Sequence, residues 1–189
     1  MRFVTTARWW MPLLLIVPTF AGTISIQPSN LTVTPGQNFS VNVSASSVAD
    51  LYGYQFDLGF NPALLSATSV SEGSFLPSAG ATFFIPGTIN NVAGSIVFTA
   101  DSLVGAIPGA TGSGTLATVN FKALAAGTSA VALSNVTLLD SKLSTITAGS
   151  ANGSVTVSGV PEPSTWTMML VSMVLIRRYK MLRRPERVE

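Results

Sequence analysis

Few side chains in this sequence can do chemistry. Between residues 22 and 160 the acids are Asp50, Asp57, Glu72, Asp101 and Asp140, the bases are Lys122 and Lys142, and the whole 189-residue chain has no histidine and no cysteine. The missing histidine removes the usual general base and the Ser-His-Asp arrangement. The missing cysteine removes disulfides, thiolate metal sites and thiol nucleophiles. Hydrolysis would have to rest on carboxylates, and a glycosidase needs two of them about 5–9.5 Å apart across the scissile bond. The five acids share no motif and fall on different strands and turns, so we read the chain as non-enzymatic, with no catalytic residue and no cofactor. Asp57, Asn61, Asp101 and Asp140 lie near turns, but none sits in the clustered-acid loop that supplies calcium with six to eight oxygens. No metal site is expected.

Charge is placed at the ends. The stretch 22–160 carries two lysines against five acids, a net −3, while Arg2 and Arg8 sit at the start and Arg177, Arg178, Lys180, Arg183, Arg184 and Arg187 at the end. A nucleic-acid binder needs its bases on the folded surface to displace counterions from phosphates, so nucleic acid is not an expected partner. Aromatic side chains could form a sugar-stacking platform, yet Trp9, Trp10 and Trp166 all lie outside the middle of the chain. Tyr52, Tyr54, Phe56 and Phe60 alternate as a core face does, and of Phe83-Phe84 one ring points inwards and the other outwards.

Strands must position these groups. Apolar residues alternate through Phe39-Val41-Val43, Tyr52 to Phe60, Ile96-Phe98, Val119-Phe121, Val131-Leu133 and Val155-Val157, the period of half-buried strands. Pro35-Gly36, Asn61-Pro62, Pro86-Gly87, Pro108-Gly109, Gly127 and Asn152-Gly153 supply reversals. The pattern predicts an all-β sandwich of nine strands over roughly 23–28, 39–45, 52–60, 81–86, 94–101, 114–124, 128–134, 136–140 and 152–158. On strand 52–60 the outward face carries Gly53, Gln55, Asp57 and Gly59, a small and polar surface onto which a protein partner can pack.

Two end segments frame this domain. Residues 1–21 read as a secretory signal peptide, with a basic start, the twelve-residue apolar run Trp9 to Phe20, and cleavage by signal peptidase after Ala21. Residues 160–189 combine Pro161-Glu162-Pro163-Ser164-Thr165-Trp166, an apolar run 166–176 and a basic cluster, Arg177, Arg178, Lys180, Arg183 and Arg184. The eleven-residue run spans about 16 Å as helix, so it reads as a short membrane segment with its bases on the cytoplasmic side. This tail resembles the PEP-CTERM sorting signal of Gram-negative bacteria, with Pro161, Glu162 and Pro163 as the sorting motif. The resemblance implies processing by exosortase, transient membrane insertion and delivery to the cell envelope, the outer surface or the medium.

A second resemblance covers residues 22–159. Leu31-Thr32-Val33-Thr34-Pro35-Gly36-Gln37-Asn38-Phe39-Ser40-Val41 looks like the opening of a cohesin domain. Tyr52 to Leu65 is similar to its third strand and the following turn. Gly114 to Phe121, Leu138-Leu139-Asp140 and Asn152 to Val157 match later blocks in order. The resemblance implies a nine-stranded jelly-roll sandwich related to carbohydrate-binding modules, and a role in binding dockerin modules of polysaccharide-degrading assemblies. In dockerin-binding cohesins the strand equivalent to 52–60 commonly carries an Asn-x-Asp pair that hydrogen-bonds the partner helix. Alignment on Phe56 and Asn61-Pro62 places Gly53 and Gln55 there, which removes the charge-assisted contact. The expectation is therefore an exported scaffolding or adhesion module with Gly53, Gln55 and Asp57 on its partner-binding face. Its partner would be a dockerin-like or other extracellular protein, or a polysaccharide. The alternatives are a carbohydrate-binding module of the same fold and, further off, a carbohydrate-active enzyme.

Overall fold

A computed structural model of the protein describes residues 22–159 and 165–182. The expected signal peptide, the Pro161-Glu162-Pro163 motif, Arg183 and Arg184 lie outside the described residues. The chain in order forms β1 (Gly22–Gln27), β2 (Asn30–Val33), β3 (Asn38–Leu51), β4 (Gly53–Gly59), β5 (Leu65–Glu72) and β6 (Thr82–Ile85). There follow β7 (Thr88–Asn90), β8 (Ser95–Leu103), β9 (Ala110–Ala123), β10 (Gly127–Leu139), β11 (Ala148–Ala151), β12 (Gly153–Val157) and a helix, α1 (Thr165–Leu182).

The strands make two sheets packed face to face, a five-stranded one in the order β11-β1-β3-β9-β5 and a seven-stranded one in the order β2-β12-β10-β4-β8-β6, with β7 also on β8. The all-β sandwich is as the alternation predicts; the strand number is not. The described residues hold twelve strands rather than nine, because β2, β5, β7 and β11 are short or irregular. The expected strands 128–134 and 136–140 are one strand, β10, interrupted by a register shift between Ser134 and Thr137.

The core lies between the sheets. Ile24, Ile26, Val41, Val43, Val119 and Phe121 face it from one side, and Tyr54, Phe56, Leu58, Ile96, Val131 and Val155 from the other. Phe56 is fully buried, which by area transfer stabilises the fold by about 2–3 kcal/mol. Rings order the layer: Tyr54 stacks on Phe56 with centroids 5.9 Å apart, and Phe60 meets Phe121 edge-on at 5.2 Å. Two parallel pairings close the sandwich. β1 runs beside β11, and β2 beside β12. β3 joins the two poles, because its Ser46 end pairs with Thr23 while Asn38 pairs with Lys122, next to the reversal that follows Val33.

The helix α1 covers the apolar run 166–176 and continues through Arg177, Arg178 and Lys180. Met168, Met169, Val171, Met173, Val174, Leu175 and Ile176 are exposed on it, and so are Arg177 and Arg178. The short membrane segment expected there is not supported: no helix among the described residues is long and apolar enough to cross a membrane. The physical reason is length, since about 16 Å of apolar helix falls short of a ~30 Å hydrocarbon core before the bases begin.

Candidate functional site

β4 forms the middle of the candidate site. Its odd positions point away from the core, and its neighbours continue the rows: Gly53 lies between Leu139 and Ser102, and Gln55 between Thr137 and Ala100. β6 adds Phe83 beside Ser102 and Ile85 beside Ala100. Together they line a groove of about 220 Å³ on the outer face of the seven-stranded sheet. Phe83 is 65% exposed, and Phe84, its neighbour in sequence, packs against the core. One ring of this pair is therefore in and one out, as alternation predicts.

The three residues expected on the partner-binding face have different parts. Gly53 is buried and forms floor, where a Cβ would stand 3.2 Å from the Asp101 carbonyl oxygen. Gln55 is half-buried and lines the groove. Asp57 stands just beyond the groove, tied to the backbone of β8 and to a side chain of β10. Its Oδ1 accepts the Phe98 N–H at 2.7 Å, and its Oδ2 accepts Asn135 Nδ2 at 2.6 Å. β8 bulges where the register shifts between Phe56 and Leu58, and β10 bulges between Ser134 and Thr137. At each bulge a non-glycine residue adopts the left-handed conformation, Phe98 with φ 61° and Asn135 with φ 50°. A bulky residue such as Phe98 is strained there, whereas Asn tolerates it, and one carboxylate holds the Phe98 amide and the Asn135 side chain. Phe98 is 48% exposed, so the strain presents an aromatic ring at the end of the outer face.

The sequence reading gave Phe98 and Glu72 no part in a site and set Asp101 near a turn, whereas it lies inside β8. Asp101 lies on β8 opposite Tyr54 and Phe84, on the inner side of the strand whose outer side floors the groove. It is 4% exposed, and neither carboxylate oxygen has a well-formed hydrogen bond. Burial first, and then the neighbouring Glu72 carboxyl, pushes Asp101 up to about 7 from its ordinary 3.8. Glu72 accepts a 2.5 Å hydrogen bond from the Thr82 hydroxyl. Tyr54 donates its hydroxyl to the Leu116 carbonyl at 2.6 Å, and burial raises it well above the usual phenol range. An Asp or Glu in an apolar layer with a tunable proton can serve general acid chemistry, but Asp101 faces the core rather than a cleft that admits substrate. Asp140 and Asp50 are elsewhere, at one pole. Asp140 Oδ1 accepts the amides of Lys142 and Ser144, and Asp50 accepts the Gly109 amide and the Ser141 hydroxyl.

A second hollow lies on the five-stranded sheet, lined by Asn38, Phe39, Ser40, Thr68, Ser69, Asn120 and Phe121, with a volume of about 550 Å³. Asn120 Nδ2 donates to Ser69 Oγ there at 3.0 Å. The two outer faces thus differ in chemistry, one with apolar floor and rings, the other with amides and hydroxyls.

The family model of the cohesin domain matches residues 24–157. The chain belongs to the cohesin family. Solved structures with the same fold include a cohesin of OlpC in complex with a dockerin from Clostridium thermocellum, 12% identical, with a TM-score of 0.63 over 76% of this chain and 97% of that one. A non-cellulosomal cohesin from the hyperthermophilic archaeon Archaeoglobus fulgidus is 15% identical, with a TM-score of 0.57 over 78% and 96%. A cohesin from Clostridium acetobutylicum is 18% identical, with a TM-score of 0.57 over 74% and 92%. No curated protein matches the chain in sequence. Cohesin domains are non-catalytic protein-binding modules.

Proposed function

We propose that this cohesin domain is an exported binding and scaffolding module whose outer β6-β8-β4-β10 face seats an apolar, dockerin-like helix. The observation that carries the reading is the groove between Phe83, Ile85 and Leu139, with Gly53 and Ala100 as floor. The one acid among its lining residues is Asp101, which faces the core, and Asp57 beyond its end has both oxygens engaged by Phe98 and Asn135. Buried aromatic and aliphatic anchors carry most binding energy at such interfaces. The partner is therefore one that contributes small apolar residues, in place of the charge-assisted contact that Gly53 and Gln55 do not supply. Several solved structures of similar fold are cohesin–dockerin complexes, which supports a dockerin as the first probe.

The ends complete the proposal. Residues 1–21 are a signal peptide, residues 22–159 the binding domain, and residues 160–189 an exosortase-processed tail that brings the protein to the envelope or beyond it. The support is the residue pattern Pro161-Glu162-Pro163, apolar run and basic cluster, together with the exposed apolar side chains of α1.

The test is capture of purified dockerin modules by the full chain, measured by calorimetry, with Phe83→Asp as control. Saturable capture that Phe83→Asp abolishes while the fold persists supports the reading. Equal capture by both proteins, or none by either across a dockerin panel, overturns it. The polar hollow around Asn120 favours a second reading, carbohydrate binding. A glycan array in which binding is lost on Asn120→Ala and kept on Phe83→Asp would replace the first reading with that one.

A further inference from the structure

The acid pair beneath the groove, with Asp101 buried and Glu72 half-buried, has no evident place in a passive binding face. Asp101 comes from β8 in the seven-stranded sheet, and Glu72 from β5 in the five-stranded sheet. The Glu72 carboxyl acts on Asp101 at the edge where β6 is attached, while both Asp101 oxygens lack a well-formed hydrogen bond. β6 pairs with β8 through Phe84 opposite Asp101, and its first residue, Thr82, donates to Glu72. The same short strand carries Phe83 and Ile85, one wall of the groove. A carboxylate in such a layer must be neutralised by a cation, a donor or a proton. The groups that act on Asp101 are Glu72 and the Ser102 amide, with no basic side chain among them. Facing the pair from β4 is Tyr54, whose hydroxyl already donates to Leu116, and from β6 come Thr82 and the non-titrating Phe84. Leu116 and Ala117 of β9 add only apolar surface.

We propose that Asp101 and Glu72 share a single proton as a carboxyl–carboxylate pair, and that this proton pins β6 against both sheets and so holds the groove wall in place. Protonated Asp101 donates to Glu72, while Thr82 supplies the second donor that keeps Glu72 as the acceptor. Loss of the proton leaves a charge on buried Asp101 beside a like charge on half-buried Glu72, and the structure relieves the two most easily at the edge strand. The groove is then formed in acidic to neutral surroundings and loosened in alkaline ones. That consequence for binding rests on the outer face being the partner's seat; the state of β6 does not.

The sign follows from the raised carboxyl. A folded-state value of about 7 against 3.8 unfolded means that the native protein holds a proton which the unfolded chain releases. The stability it confers is full below the unfolded value and is lost as pH rises through about 7.

Hydrogen exchange of the full chain, corrected for the intrinsic effect of pH, tests this without any partner. In the wild type, protection of the Phe83–Ile85 amides should fall about ten-fold or more between pH of about 5.5 and about 8.5. Asp101→Asn, which keeps the shape and removes the charge, should abolish that fall, and Glu72→Gln, whose amide can donate to Asp101, should reduce it without abolishing it, because Asp101 stays buried. Equal protection of the wild type at both pH values overturns the proposal, as does an undiminished fall in either variant. Restoration of protection at the higher pH by calcium alone also overturns it, since the pair would then be a cation site. Dockerin capture by Asp101→Asn that no longer varies with pH would extend the result to binding, and the exchange data stand whether or not any dockerin binds.

Discussion

Asp57 Oδ1 accepts the main-chain N–H of Phe98 at 2.7 Å, across the seam between β4 and β8. A carboxylate on the outward face of a central strand is usually solvated. Here it fixes an exposed ring whose backbone is left-handed. The residue expected on the partner-binding face thereby holds the backbone beneath an exposed ring.

Asp57→Ala should therefore destabilise the domain by about 2 kcal/mol, because it removes two hydrogen bonds to a charged group and frees a strained bulge. Phe98→Gly should leave stability unchanged or raise it by up to about 1 kcal/mol, since glycine adopts that φ without strain. Urea unfolding checks both through the midpoint, at constant m.

The pole built around Asp50 predicts an acid-sensitive limb. The Ser141 hydroxyl and then the Gly109 amide hold the Asp50 carboxyl below its usual value of 3.8, with Lys142 contributing. A depressed carboxyl confers stability above the unfolded value that is lost as pH falls through the folded one. Urea midpoints of Asp50→Asn should lie below those of the wild type near neutrality and converge with them in strong acid.

Two phenylalanines should separate the inside of the sandwich from its outside. Phe56→Ala should cost about 3–5 kcal/mol through lost burial and the cavity left behind. Phe83→Ala should stay within about 0.5 kcal/mol of the wild type. Thermal and denaturant unfolding measure both.

Asn91 completes an irregular edge. Its Oδ1 accepts the Ala67 N–H at 2.8 Å and its Nδ2 donates to the Ala67 C=O at 2.9 Å, next to the register shift in β5. Asn91→Ala should cost about 1–3 kcal/mol by leaving that backbone unpaired, and exchange of the Ala67 amide should rise with it.

Much of this fold was legible from period-two alternation. Tyr54, Phe56, Leu58 and Phe60 face the core as the pattern required, and the turn after Asn61-Pro62 is where the prolines and glycines placed it. The missed strands have physical excuses. β5 loses its period at the bulge between Ala67 and Ser69, β11 is Ala-Gly-Ser-Ala with no apolar marker, and β10 was divided by Asn135. Tyr52 was expected in line with Tyr54 but sits between strands, half-buried, with its hydroxyl on the Gly105 carbonyl. The site was legible only on β4 itself. Phe98 and the Asp101–Glu72 pair depend on register across sheets, which residues far apart in sequence establish together and no local pattern reveals.

The two parallel closures have a consequence for assembly. Gly22 opens β1 at the Ser46 level of β3, while Val157 closes β12 beside Val33, at the Asn38 end. Those levels are roughly 30 Å apart at the usual rise of a strand. A segment joined before Gly22 and one joined after Val157 therefore leave the sandwich at opposite ends.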